Sequence, residues 1–343
     1  MERVRLLATG WDRDLAYEED AGPPPAPEAD QVLVAIEACG VCHRDLLDRA
    51  GRFPFLNLPV TPGHEAVGRV VAVGSGVTTW KVGDRVATMH RDACGQCPRC
   101  VAGETSFCTG AAWVLGILAD GGYASHLRVP ESALYAMPDD LPAGAAATLH
   151  CTFGTAYRDL VTLGHLSRGE RVLVTGANGG VGAAGVQIAA RLGAHVVASV
   201  RNAAPEAFVR GLGAQEVVAA PPEELHRRVA GEVDLALDTV GVATFNGALR
   251  TLRLGGRMVI VGNIEDARAQ LNLGYVITKG LSIIGGSGAT RRDMAALLAL
   301  HAQAPFAAPI HGSFPLSRAD EAQRVVRAGG LRGRVILEPH GPA

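Results

Sequence analysis

The sequence predicts an α/β protein of two parts, a β-rich module and a doubly wound parallel-sheet module. Three observations carry this. The length of 343 residues suits about two domains, at roughly 100–200 residues each. Residues 1–150 alternate short β-rich runs with Gly and Pro. From about Thr152, short apolar runs alternate with helical stretches, as in a parallel sheet with crossover helices.

The elements follow in order. Gly22–Pro27 reads as a rigid extended connector. Gln31–Ile36 and Ala66–Val73 read as strands bounded by turn residues. In the second part, Arg171–Thr175 is a strand, Ala183–Leu192 a helix and His195–Val200 the next strand. Further strands are expected at Glu216–Ala219, Val233–Leu237, Arg257–Val261 and Leu281–Ile284. The tail holds a helix, Asp293–His301, and a strand, Gly333–Leu337. The expected division is 1–150, then 151–290, with 291–343 returning to the first module.

Composition excludes several classes. Hydrophobic residues make up 48% and charged residues 19%, which excludes a disordered chain. Glycine is abundant, at 43 residues, but without a G-x-y period, which excludes collagen. A formal charge of −2, from 32 basic and 34 acidic side chains, speaks against a bulk-electrostatic nucleic-acid binder. No stretch reaches the roughly 18 uncharged apolar residues of a membrane span, and Met1–Gly10 has no apolar signal-like run. The expectation is a cytoplasmic protein whose partner is a small molecule. Seven cysteines, an odd count in a long chain, argue against a disulfide framework and for metal binding or catalysis.

Cys94, Cys97, Cys100 and Cys108 follow the spacing C-x2-C-x2-C-x7-C, which can wrap one tetrahedral zinc. The bland alternative is four buried thiols. An iron–sulfur cluster is the rival metal, but the ferredoxin run uses x3 and then Pro, and neither occurs here. A closed all-Cys site, in a lobe of about residues 92–110, leaves no room for substrate and reads as structural.

Cys42, His64 and Cys151 are scattered. Each alone reads as a small core residue or a satisfied polar group. With the neighbouring Glu65 they supply two thiolates, one imidazole and the open position that a catalytic zinc needs. Asp45 could accept the other ring proton of His64. Cys39 is left as a buried bystander.

Thr175-Gly176-Ala177-Asn178-Gly179-Gly180-Val181-Gly182 lies between a strand and a helix. Glycines there allow a tight turn and close approach to a pyrophosphate at the helix N-terminus. Ala177 occupies the first glycine place of the strict pattern, with Gly176 one residue earlier. Where an NAD enzyme places an acid on the ribose hydroxyls, this chain has Arg201-Asn202. An Arg there suits a ribose phosphate and favours NADPH over NADH. Its alternative is a solvated surface residue.

In their order along the chain, the Cys42 segment, Gly63-His64-Glu65, the four-Cys run, Cys151 with Thr155, and the glycine-rich turn carry a resemblance. They resemble the zinc-containing medium-chain dehydrogenase/reductase superfamily, whose best-known members are the zinc alcohol dehydrogenases. The resemblance implies a GroES-like catalytic domain interrupted by a Rossmann domain, with the active site in the cleft between them. It implies that Cys42, His64 and Cys151 bind the catalytic zinc and that Glu65 can exchange onto it. His43 and Thr155 would lie beside the cofactor, Val261, Gly262 and Asn263 would pass the nicotinamide, and Arg334 could approach a cofactor phosphate. It further implies a homodimer or homotetramer, while the two cysteine sites predict two zinc ions per chain and Arg201 predicts NADP(H) preferred with NAD(H) possible.

The implied reaction is hydride transfer between the nicotinamide and an alcohol or its aldehyde or ketone, with zinc as Lewis acid. Two departures bear on it. Arg44 stands where the family usually carries a relay hydroxyl, and Leu47 where a relay His can occur, so the proton would use His43, Glu65 or solvent. The Cys42–Leu47, Asp238–Gly241, Val261–Ile264 and Leu273–Lys279 segments also look like a narrower branch containing archaeal acryloyl-CoA reductases. The alternative function is therefore an NADPH-dependent 2-enoyl-thioester reductase that retains the zinc sites. A cofactor-binding scaffold without turnover is a third reading. Phe53, Phe55, Trp113, Leu115 and Tyr275 are pocket candidates by position alone, each more readily read as core packing.

Overall fold

A computed structural model describes residues 1–110, 113–264 and 268–341. The chain forms two compact units. One holds Met1–Cys151, Ile310–Gly329 and the segment from Arg334; the other holds Thr152–Pro309 and Gly330–Gly333.

The first unit is built on strands β1 (Gln31–Val41), β2 (Ala66–Val73), β3 (Arg85–Thr88), β4 (His126–Pro130) and β5 (Leu134–Ala136). β1 is the hub, pairing antiparallel with β2 along Val32–Cys39 and with β4 along Gln31–Ala35. β-branched residues suit this half-buried pleated surface. Val32, Val34, Ile36, Val67 and Val70 are all 2% exposed or less. Burying each such side chain contributes roughly 1.5–3 kcal/mol.

Helix α1 (His43–Arg49) follows β1 directly. Cys42 caps it, and the Asp45 carboxylate reaches back to accept from the Cys42 amide at 2.8 Å. This reciprocal cap fixes the backbone on which Cys42, His43, Arg44 and Asp45 sit.

The second unit is a six-stranded sheet, all parallel. Its strands are β6 (Arg171–Val174), β7 (His195–Val200), β8 (Glu216–Ala219), β9 (Val233–Asp238), β10 (Leu252–Ile260) and β11 (Ser282–Gly285). The order is β8-β7-β6-β9-β10-β11. Strands covered on both faces read as continuous apolar runs, and Leu173, Val197, Ala236 and Met258 are fully buried. Helix α2 (Gly180–Arg191) begins three residues before Ala183, because Gly180 and Gly182 take helical geometry despite their low propensity. Helix α3 (Arg291–Gln303) also belongs to this unit and is capped by Thr290, with Asp293 closing the reciprocal pair.

The chain then returns through β12 (Ile310–Pro315), helix α4 (Ala319–Ala328) and β13 (Arg334–Glu338). β12 lies parallel to β13, and Val335–Leu337 of β13 pair antiparallel with Cys39–Val41 of β1. The end of α1 is pinned against α4: fully buried Arg49 pairs with Asp320 at 2.7 Å and donates to Gln323 at 3.3 Å. The Trp11 ring lies 4.3 Å from the guanidinium carbons of both Arg49 and Arg327, a favourable cation–π arrangement.

Candidate functional site

In the first unit, Cys42 stands at the start of α1, His64 and Glu65 precede β2, and Cys151 lies in the widened helical turn Leu149–Gly154. One ligating atom from each of these four residues lies within 4.8 Å of those of the other three. Cys151 Sγ is 3.4 Å from His64 Nε2, and Glu65 Oε1 is 3.7 Å from the same nitrogen. On the far side of the ring, Nδ1 meets Asp45 Oδ1 at 3.0 Å. That contact favours a proton on Nδ1 and leaves Nε2 free to ligate.

The thiols behave as a pair. The hydrogen bond with Cys151 holds the Cys42 thiol well below its usual pKa, against burial and with help from Arg334 and His64. The same bond and burial push Cys151 well above it. Two half-buried sulfurs, one of them held toward its thiolate, beside an imidazole and a carboxylate, fit a divalent cation that prefers nitrogen and sulfur. Asp45 stays below the ordinary carboxylate value: burial works against it, but His64 and Arg44 outweigh burial.

Arg334 sits on Glu65. It donates from Nε to Oε2 at 3.0 Å and from Nη2 to Oε1, and Nη2 is 3.9 Å from Cys151 Sγ. A Cβ on Gly40 would lie 2.3 Å from Glu65 Oε2, so only glycine leaves room for this carboxylate. The pair is not signalled by sequence, since 269 residues separate its members.

Burial lowers the His43 pKa and favours its neutral form. Arg44 donates from Nη2 to the Leu115 carbonyl at 2.8 Å, and its Nε lies 3.3 Å from Asp48 Oδ2. Burial raises Asp48 to about 7 in spite of Arg44. Of the five pocket candidates, Leu115 meets the site through that carbonyl. Phe55 and Phe53 are exposed, Phe55 at 70%, Trp113 donates its amide to Asp92, and Tyr275 belongs to the second unit. His90, which sequence reasoning passed over, lies with Nδ1 3.1 Å from His150 Nε2, beside Cys151.

The four clustered cysteines converge separately. Sγ separations are 3.5 Å for Cys94–Cys108, 3.9 Å for Cys97–Cys108 and 4.0 Å for Cys94–Cys100. A tetrahedron of zinc–sulfur bonds near 2.3 Å has edges of about 3.8 Å. The amides of Cys94, Cys97 and Cys100 donate to Cys108, Cys94 and Cys97 respectively. The Cys100 amide and then the Thr109 backbone bring the Cys97 thiol down to about 5, toward the thiolate that a metal requires.

In the second unit, the strand order reverses between β6 and β9, and the crevice at their carboxyl ends is where open parallel sheets bind ligands. The Thr175–Gly182 turn lies there. A Cβ on Gly182 would sit 2.2 Å from the Gly176 carbonyl oxygen, so the turn closes only around glycine. Asp238, at the end of β9, organises the crevice: its Oδ1 accepts from Thr175 and Thr244 hydroxyls at 2.7 and 2.6 Å. Its carbonyl accepts from the Val261 and Gly262 amides at 2.9 and 3.0 Å, placing 261–263 beside the turn. Thr155 is buried in this unit. Asn178 donates from Nδ2 to Leu331 at 2.7 Å. Arg201 and Asn202 are exposed in the loop after β7, and Arg332 donates to Ala204 in that loop at 3.0 Å.

Comparison with known proteins agrees with this architecture. The alcohol dehydrogenase GroES-like domain family matches residues 28–139 and the zinc-binding dehydrogenase family residues 180–303. An acryloyl-coenzyme A reductase of Sulfurisphaera tokodaii is 32% identical, covering 94% of this chain and 96% of that protein. The chain belongs to the zinc-type medium-chain dehydrogenase/reductase superfamily. An alcohol dehydrogenase of Geobacillus stearothermophilus is 33% identical to this medium-chain dehydrogenase/reductase over 92% of the chain and 93% of its own length. The cobalt- and zinc-bound thermostable alcohol dehydrogenase of Pyrobaculum aerophilum superposes with a TM-score of 0.89 at 31% identity, covering 99% of both chains. The protein is thus an oxidoreductase of the alcohol dehydrogenase/reductase family. Among the described residues, no helix is long and apolar enough to cross a membrane.

Proposed function

We propose that this medium-chain dehydrogenase/reductase is a zinc-dependent enzyme that transfers hydride between NADP(H), in preference to NAD(H), and an alcohol with its aldehyde or ketone. The observation that carries the reading is the convergence of Cys42, His64, Glu65 and Cys151 within 4.8 Å. Bound there, zinc supplies a Lewis acid for the substrate oxygen, while the nicotinamide supplies or accepts the hydride. The chain's own part is to hold and orient. Cys42, His64 and Cys151 are the ligands in this reading, Asp45 sets the His64 tautomer, and Glu65 waits beside them, neutralised by Arg334. Cys94, Cys97, Cys100 and Cys108 hold a second zinc, which stiffens their lobe and takes no part in turnover.

Residues 1–150 with the returning tail form the catalytic domain in this reading, and the parallel-sheet unit binds the cofactor. The 175–182 turn takes the pyrophosphate, 261–263 the nicotinamide, and Arg201 with Asn202 the ribose phosphate. A homodimeric or homotetrameric, cytoplasmic enzyme is proposed from the family alone.

A second reading, reduction of the activated C=C bond of a 2-enoyl thioester by NADPH, is favoured by Arg44. A guanidinium donates hydrogen bonds but stays protonated at working pH, so it cannot pass a proton on. It therefore suits an acyl oxygen that gains charge better than it suits relaying a proton to an alkoxide. The acryloyl-coenzyme A reductase relative points the same way. The test is one panel of alcohols, aldehydes, ketones and enoyl thioesters, run with NADPH and NADH on the natural protein and on Cys42→Ala. Turnover of alcohols or carbonyls that Cys42→Ala abolishes supports the first reading. Enoyl turnover that survives the substitution supports the second, and no turnover at all rejects both.

A further inference from the structure

We infer that Tyr123 is a positioning residue for the metal centre: its ring fixes the backbone leading into His64, and its hydroxyl fixes the carboxylate that orients the His64 ring. The inference rests on the reading of Cys42, His64 and Cys151 as metal ligands.

Tyr123 is fully buried, and it touches His64 by two routes. The first is through the backbone. The Tyr123 amide donates to Pro62 at 2.9 Å, and the Gly122 amide donates to Gly63 at 3.0 Å. Gly63, immediately before His64, has φ +95, and a Cβ there would lie 2.3 Å from Tyr123 Cδ1. The ring therefore packs closely against a bare backbone that only glycine allows. The second route is through Asp45. Tyr123 donates its hydroxyl to Asp45 Oδ2 at 3.1 Å, and the Cys42 amide donates to the same oxygen at 2.8 Å. The opposite oxygen, Oδ1, faces His64 Nδ1 at 3.0 Å.

A carboxylate turns about its Cβ–Cγ bond in a broad, shallow well. Asp45 is held at one oxygen by two donors on different segments, and that turn is locked. The locked Oδ1 in turn holds the imidazole plane, with Nε2 facing Cys151 Sγ at 3.4 Å. Tyr123 is the side-chain member of the lock. Without its hydroxyl, Oδ2 keeps the Cys42 amide alone, and the carboxylate gains freedom that the imidazole shares. The cost falls on the metal, because ligands that must be re-ordered on binding bind more weakly.

The test uses full-length protein stripped of metal and titrated with Co(II) and Zn(II) against a chromophoric chelator. The cysteine lobe serves as an internal second class of site. For Tyr123→Phe we expect affinity at the Cys42 centre to fall about tenfold, the low end of the 10–100-fold range for residues behind metal ligands. The Co(II) absorption of that centre should also broaden, while the lobe is unchanged. Asp45→Asn should fall further. Adding Tyr123→Phe to Asp45→Asn should cost little more, since the hydroxyl acts through the carboxylate. Equal affinities and spectra for Tyr123→Phe and the natural protein would overturn the inference. So would fully additive losses, which would mark Tyr123 as packing only. If the natural protein takes no metal at the Cys42 centre while the lobe fills, the ligand reading itself fails.

Discussion

In the protein stripped of metal, replacing Arg334 by Met should cost the first unit about 3–5 kcal/mol. The Glu65 carboxylate has no exposed surface, and its charge is matched by Arg334, whose side chain is 10% exposed. Met retains most of the aliphatic volume but strands the carboxylate. Removing one partner of a buried ion pair leaves an uncompensated charge, which costs in that range. Glu65 cannot swing out, because its backbone carbonyl accepts the Gly40 amide at 2.9 Å and its side chain fills the space above Gly40. The assay is convenient: the three tryptophans, Trp11, Trp80 and Trp113, all lie in the first unit, so their fluorescence reports its unfolding in urea alone. Glu65→Gln/Arg334→Met should recover part of the loss, since no unpaired charge is then left buried, only an amide. A loss below about 1 kcal/mol for Arg334→Met, the level of a solvent-exposed pair, would refute the reasoning.

Three other outcomes are expected. Burial raises the Asp159 pKa from 3.8 to about 7, with Ser287's amide and Arg158 opposing. The folded state therefore holds this proton more tightly than the unfolded one, and stability should fall as pH rises from about 4 to about 7, by at most about 4 kcal/mol. Asp159→Asn should flatten that slope in thermal unfolding read by circular dichroism, and an unchanged slope would count against it. Gly182→Ala drives a methyl against a backbone oxygen and should weaken NADPH binding about tenfold or more, the effect of 1–3 kcal/mol of overpacking, as read by nicotinamide fluorescence. Arg201→Asp should lower the NADPH-to-NADH affinity ratio by about tenfold or more, given roughly 1.5–3 kcal/mol for a charged hydrogen bond; an unchanged ratio would leave Arg201 as a surface residue.

What could be read from the sequence was local. The strands of the parallel sheet are short apolar runs between turns, and Glu216–Ala219 and His195–Val200 have the same bounds in the structure. Cysteine spacing showed the lobe because its four sulfurs lie within fifteen residues of chain. β12 and α4 escaped notice. Ile310–Pro315 contains Gly312 and ends in Pro, which weakens any strand signal, while α4 mixes four charged residues with small apolar ones. The long-range pairs were also invisible. Arg334 on Glu65, Tyr123 on Asp45 and Asp238 beneath Thr175 join segments that no periodicity links. Asp238 could be noticed only as part of the Asp238–Gly241 segment that looks like the acryloyl-CoA reductase branch, and its role as a hydrogen-bond hub depends on the strand order that brings β9 beside β6.

The central claim is that the two cysteine-containing clusters are metal sites, one structural and one catalytic. Metal content of the purified chain, measured by elemental analysis alongside Cys42→Ser, tests it most directly. The account requires about two zinc ions per natural chain, and one in Cys42→Ser, with the fold intact and carbonyl turnover gone. One zinc in both proteins, with turnover unchanged, would contradict it.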